Sequence, residues 1–195
     1  PTYGFGLIDK IFSKYKNYDL KINTKIGYDK NRKKNFSINV LKKSVEKSLK
    51  FHNKINTIFL HNPRYEITNW YKVIDFLNNL KKQELVKNIG ISLARDFYFS
   101  SKILNRFDFV QDEVNLLRAS HLSENKNKFK FMARSPLATG ILSKNFNENR
   151  RYYKNDYRFR WLRGSRKKNI IKQKKLLIKI FGNNLTTVSY SYLFF

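Results

Sequence analysis

The sequence predicts an α/β fold built on a parallel sheet with helical crossovers. Three observations carry this expectation. Short apolar runs of strand length alternate with longer segments of helical periodicity. Each run and its helix span roughly 25 to 35 residues, the size of a βαβ unit. No internal repeat is visible, which argues against a solenoid.

Taken in order, residues 6–16 place Ile8, Ile11, Phe12 and Tyr15 three or four apart, which predicts a helix. Residues 19–25 read as a strand, with Leu20, Ile22 and Thr24 on one face. Ser37 is placed to cap a helix that carries Leu41, Val45, Ser48 and Leu49 at helical spacing. Residues 55–60 form a strand ending at His61, and Asn62-Pro63 stops it. Residues 68–85 predict a helix with Trp70, Ile74, Leu77 and Leu80 on one face. A short buried strand containing Gly90 follows at 87–93, then a helix near 97–104 and a strand from 109 to about 115. Residues 121–128 are a polar connection to a strand at 129–134, which Ser135-Pro136 ends.

Beyond Ser143 the pattern changes. Residues 145–166 read as a long polar, aromatic and basic loop, a length uncommon unless functional or disordered. Helical character returns over 167–181, with Ile170, Ile171, Leu176, Leu177 and Ile180 apolar and Gly182 able to end it. In the last ten residues Val188, Tyr190 and Tyr192 alternate with serines, which alone suggests a strand.

Composition bounds the function. The 195 residues are enough for one domain, 1–195, with a sizeable core. The absence of cysteine excludes disulfides, thiolate metal sites and cysteine nucleophiles, and suits a reducing, cytoplasmic setting. No apolar run approaches the ~20 residues of a membrane helix, so no membrane partner is expected. Pro1-Thr2-Tyr3-Gly4 is not a signal peptide, and the missing initiator Met points to further chain upstream. The net charge is +27, from 41 basic and 14 acidic residues. Such charge fits a polyanion partner, or a Lys- and Asn-rich habit of the whole surface. The basic residues run from Lys10 to Lys179 rather than forming one arm, which favours the second reading and predicts no specific nucleic-acid partner. The cluster at 163–168 reads as a solvated helix start. His52 and His121 read as surface residues.

Three residues carry the chemistry. Tyr3, Lys25 and His61 stand at the carboxyl ends of successive strand-like segments, where α/β proteins build their sites. A phenol, an ammonium and an imidazole are the parts needed to deliver a proton to a carbonyl oxygen. They sit within a series of short motifs: Thr2-Tyr3-Gly4, Asn23-Thr24-Lys25-Ile26-Gly27, Leu60-His61-Asn62-Pro63, Ile89-Gly90-Ile91-Ser92, Gln111-Asp112-Glu113-Val114-Asn115, and Arg134-Ser135-Pro136-Leu137-Ala138-Thr139-Gly140. In this order and spacing, the motifs resemble those of the aldo-keto reductases, above all bacterial members with an Arg-Ser-Pro-Leu segment.

The resemblance implies a (β/α)8 TIM barrel of which this chain covers about strands three to seven with their helices. Strands one and two then lie before residue 1, strand eight lies after residue 195, and residues 186–195 are a helix. It implies reduction of a small carbonyl substrate with NADP(H), NAD(H) remaining an alternative. Tyr3 matches the family's proton-donating tyrosine, Lys25 its lysine and His61 its histidine. The aspartate that completes the set falls upstream of Pro1. Ser92 and Gln111 match the residues that hold the nicotinamide carboxamide; Leu93 stands where many members have Asn. Arg134 takes the place of a tyrosine that stacks on the nicotinamide. Ser135, Leu137 and Gly140 match the segment that approaches the pyrophosphate. No metal is implied. Two other readings stay open at this point: a non-catalytic protein of the same fold that binds a cofactor or partner, and a basic nucleic-acid-binding protein.

Overall fold

A computed structural model describes residues 7–15, 20–52, 54–95, 97–119, 129–154, 156 and 158–194. Among them, five strands form one sheet in the order β1-β2-β3-β4-β5. They are β1 (Asn23–Ile26), β2 (Ile55–His61), β3 (Val86–Ser92), β4 (Phe109–Glu113) and β5 (Lys130–Arg134). Strands β1 to β4 pair in parallel. The longer crossovers carry α2 (Ile38–Leu49) and α3 (Trp70–Lys82), and a single turn, α4 (Ser101–Leu104), lies between β3 and β4. The helix α1 (Leu7–Phe12) precedes β1, and α5 (Arg158–Trp161), α6 (Gly164–Phe181) and α7 (Leu185–Ser191) follow β5.

The period of two along each strand divides the sheet into two chemically different faces. On one, Ile26, Ile58, Leu60, Ile89, Ile91 and Val110 pack with Leu41 and Val45 of α2 and Ile74 and Leu77 of α3. All are buried, and burying each such side chain is worth roughly 1.5–3 kcal/mol before conformational entropy is counted. The other face carries Lys25, Phe59 and His61, Gly90 and Ser92, and Gln111, in register across β1 to β4. Helices cover the first face because their apolar stripes match it; the second face is left for polar groups.

Helix entry is local chemistry. The Asn69 side-chain oxygen accepts from the Lys72 N–H at 3.0 Å, capping α3. Such a cap is worth ~1 kcal/mol. At α2 the Ser37 carbonyl, not its hydroxyl, takes the first amides, from Val40 and Leu41 at 3.0 Å. The Ser37 N–H in turn donates to the Asn35 side chain at 3.0 Å.

The chain divides into two compact units, residues 1–112 with 122–132, and residues 113–121 with 133–195. The sheet-and-helix core just described belongs to the first. The second has its own core of Ala138, Ile141, Leu142, Leu162 and Leu185, against which Ile170, Leu177 and Phe181 pack.

Three expectations need correction, and one open choice is decided. The first strand starts at Asn23, not residue 19, and Leu20 is exposed. With Asn23 opposite Thr57 and β2 beginning at Ile55, Leu20 falls beyond the start of its neighbour, and residue 19 lies outside the described residues. The segment 145–166 is not a continuous loop. Asp156 accepts the Arg158 amide at 2.9 Å and starts α5, and α6 begins at Gly164. The alternation in the tail does not make a strand; residues 185–191 are helical, as the family resemblance implied. Ser189 turns its hydroxyl onto the Leu185 carbonyl at 2.7 Å, so this serine is buried within a helix. Finally, His52 is buried rather than at the surface. His121 and the connection 121–128 lie outside the described residues.

Candidate functional site

The carboxyl ends of β1 to β4 gather the polar residues of the open face. Lys25 stands opposite Phe59, and His61 lies two residues further along the same strand. Lys25 and His61 therefore share a face and an end of the sheet. Ordinary strand spacings put their Cα atoms roughly 8 Å apart, a distance their side chains can bridge. Gly27 follows β1 with φ +116°, a conformation that suits glycine, and a Cβ there would overlap the Phe36 ring. β2 ends as sharply: Asn62 has φ +53°, and its N–H donates to the Ser92 carbonyl at 2.8 Å. The Tyr28 ring tilts against His61 at 5.0 Å between centroids.

Ser92 and Gln111 face each other across β3 and β4. The Ser92 hydroxyl donates to Gln111 Oε1 at 3.1 Å, and Gln111 Nε2 contacts Met132 Sδ at 3.2 Å. Both residues are buried. A buried hydroxyl and amide next to each other form a donor and acceptor set matched to a carboxamide. Tyr3 lies outside the described residues.

The other candidate residues belong to the second unit. Arg134 Nη1 lies 3.7 Å from Glu113 Oε2. Ser135 has φ +58°, and its carbonyl accepts from Asn115 Nδ2 at 3.2 Å and from the Ala138 N–H at 2.8 Å. The Leu137 carbonyl accepts from Gly140 at 2.9 Å and Leu142 at 3.1 Å. Ala138, Thr139 and Gly140 follow with φ of +46°, +61° and +93°. Three consecutive left-handed residues are costly for a chain and persist where the surroundings fix them. Arg158 supplies part of that fixing: its Nη1 reaches the Thr139 carbonyl at 3.5 Å while two further nitrogens hold Asp156. The amides of Ala138, Gly140 and Leu142 are spent on carbonyls of the turn itself, which makes it a self-bonded corner after β5.

The Aldo/keto reductase family model matches residues 6–194. The chain belongs to that family. Solved structures agree on the fold. A glycerol dehydrogenase from Gluconobacter oxydans superposes with a TM-score of 0.75 at 19% identity, covering 99% of this chain and 66% of its own. A thermostable aldo-keto reductase solved with the inhibitor epalrestat gives 0.57 at 21% identity, covering 73% of this chain and 55% of its own. This aldo-keto reductase chain thus spans about two thirds or less of the length of either protein, and its sheet is part of the (β/α)8 barrel. No protein of curated function matches it by sequence. Among the described residues, no helix is long and apolar enough to cross a membrane.

Two further residues carried a weaker sequence signal. Tyr28 is set against His61 only by the turn at Gly27, which spacing does not reveal. Lys174 is buried within α6, on the stripe of Ile170, Leu177 and Phe181. A lysine at i+4 and i−3 of apolar residues is a signal that sequence reading could have used.

Proposed function

We propose that this chain is part of a longer NAD(P)H-dependent reductase that converts an aldehyde or ketone to an alcohol. Membership of the family supports the reaction class. The observation that carries the site is the placement of Lys25 and His61 on one face, at the carboxyl ends of adjacent strands. The Ser92–Gln111 pair suits the carboxamide of the cofactor, and the family resemblance assigns the segment after Ser135 to its phosphates. On that resemblance Ser92 and Gln111 are assigned to the first, Arg134 to the nicotinamide ring, and Ser135, Leu137 and Gly140 to the second. When bound, the nicotinamide supplies the hydride.

The chain's own residues supply the proton and the charge stabilisation. Tyr3 donates its phenolic proton to the substrate oxygen. Free tyrosine has a pKa near ~10 and is a sluggish acid and base at neutral pH. Lys25 stabilises the phenolate that remains and lowers that pKa. His61 donates a hydrogen bond to the same oxygen as negative charge builds there. A cytoplasmic location follows from this soluble-cofactor chemistry and is part of the same proposal.

The test uses the gene with its flanking coding sequence. Tyr3→Phe should lower turnover by about 10²-fold or more, the scale of a lost general acid, while cofactor binding by fluorescence stays within about twofold, since only the proton donor is removed. A Tyr3→Phe protein with full turnover would refute the assignment.

A further inference from the structure

We propose that the cleft between α6 and residues 144–148 is a binding site for a small oxyanion of the phosphate class, anchored on the Lys174 ammonium. The site uses none of the residues assigned to carbonyl reduction and stands independently of that reading.

Lys174 is nine-tenths buried, on the stripe of α6 that packs into the core of the second unit. Lysine almost never occupies such a position unless something compensates its charge. The compensation within the protein is thin. Nζ donates to the Ser143 carbonyl at a long 3.3 Å and stands 4.6 Å above the Phe146 ring. An ammonium has three N–H donors. Among the described residues no carboxylate pairs with it. Glu148, the one acid lining the cleft, is engaged by Lys175 at 3.5 Å. Burial lowers the Lys174 pKa, and Glu148 opposes this less strongly from a distance.

The ammonium borders a cavity of about 490 Å³ that Lys144, Phe146, Glu148 and Lys175 also line. Three cations against one carboxylate leave the cleft with a surplus of positive charge. A tetrahedral oxyanion would supply acceptors to the donors that Ser143 leaves over and neutralise that surplus. A neutral ligand could accept those hydrogen bonds but would leave the surplus charge in place. The Phe146 ring covers one side of the ammonium.

The experiment follows the acylation of each lysine of the 195-residue chain by mass spectrometry, at limiting reagent. Saturating inorganic phosphate, compared with chloride at equal ionic strength, should slow modification of Lys174 about fivefold or more, as occupancy by mass action requires. Exposed Lys172, on the same helix, should be unaffected. A short phosphomonoester run in parallel identifies the source: protection at lower concentration than the free ion assigns a phosphorylated metabolite, and the reverse assigns phosphate itself. Lys174→Met keeps the apolar stem against Phe146 and should abolish the saturable rise in thermal midpoint with phosphate, while Lys172→Met retains it. Equal protection of all lysines, or a phosphate response that survives in Lys174→Met, would overturn the proposal.

Discussion

The Phe59 ring lies against the backbone of Gly90, so closely that a Cβ at position 90 would stand 2.5 Å from two of its ring carbons. Phe59 is the register partner of both Lys25 and Gly90, so it stands between the lysine and the strand that carries Ser92. The glycine is required by close approach, since its φ is unexceptional. Strand Gly90 is thereby explained by a neighbouring side chain, as glycines inside strands often are.

Gly90→Ala should therefore destabilise the protein. The new methyl also meets the Phe109 carbonyl oxygen at 3.1 Å, and Phe59 is only 1% exposed, so neither neighbour yields easily. Overpacking of this kind costs about 1–3 kcal/mol. A urea titration should show the midpoint falling with an unchanged slope. Wild-type stability would mean that Phe59 does not rest on Gly90.

A second prediction separates an ion pair from the hydrogen bond beside it. Asp108 receives Lys81 Nζ at 2.7 Å and 2.9 Å, and also the Ile89 backbone N–H at 2.8 Å. Both charged side chains keep about a third of their exposure, so the ion pair itself should contribute only ~0–1 kcal/mol. Asp108→Ala also strips the acceptor from a backbone amide whose residue is buried, which costs ~1–3 kcal/mol. Asp108→Ala should thus destabilise clearly more than Lys81→Met in parallel urea titrations. Equal losses would show that the ion pair, not the amide, matters.

The acid limb of stability should depend on Asp156. Its hydrogen bonds from Arg158, the shortest at 2.6 Å, hold its pKa below the ordinary carboxylate value against a smaller opposing effect of burial. A depressed folded pKa stabilises the folded state above the unfolded value and loses that contribution as pH falls through the folded one. Asp156→Asn should lower the urea midpoint at neutral pH, and the difference from wild type should shrink as pH falls below the ordinary aspartate value and through the depressed folded one. A difference that persists in acid would mean that Arg158 is held by geometry rather than by charge.

Much of this architecture was legible because burial writes a period into the sequence. Ile55, Ile58 and Leu60, or Leu41 and Val45, could be read as strand and helix directly. Asn62-Pro63 and Ser135-Pro136 marked strand ends correctly. What failed was decided by partners distant in sequence. The start of β1 depends on where β2 begins, and the burial of His52 depends on what surrounds the end of α2. The tail alternated like a strand, yet Ser189 satisfied its hydroxyl within a helix. The candidate site was legible as an order of motifs, and the geometry adds what order cannot: Lys25 and His61 on one face, and Ser92 bonded to Gln111.

The last prediction divides the proposed site into residues that bind and residues that react. Ser92 and Gln111 satisfy each other in a buried position, which holds both side chains in one orientation before any ligand arrives. Replacing Gln111 with Leu removes the amide and leaves the Ser92 hydroxyl without this acceptor. If the pair holds a carboxamide, the cofactor KM should rise about tenfold, matching roughly 1.4 kcal/mol for a lost hydrogen bond, with kcat changed much less. Lys25→Met should behave oppositely. It keeps the stem at the strand end but removes the ammonium proposed to stabilise the phenolate, so kcat should fall and its pH profile should shift upward, while the cofactor KM stays near wild type. Steady-state kinetics on the protein expressed with its flanking coding sequence read both quantities. A Gln111→Leu variant that loses kcat alone, or a Lys25→Met variant that loses only cofactor affinity, would reverse the two roles and sink the assignment.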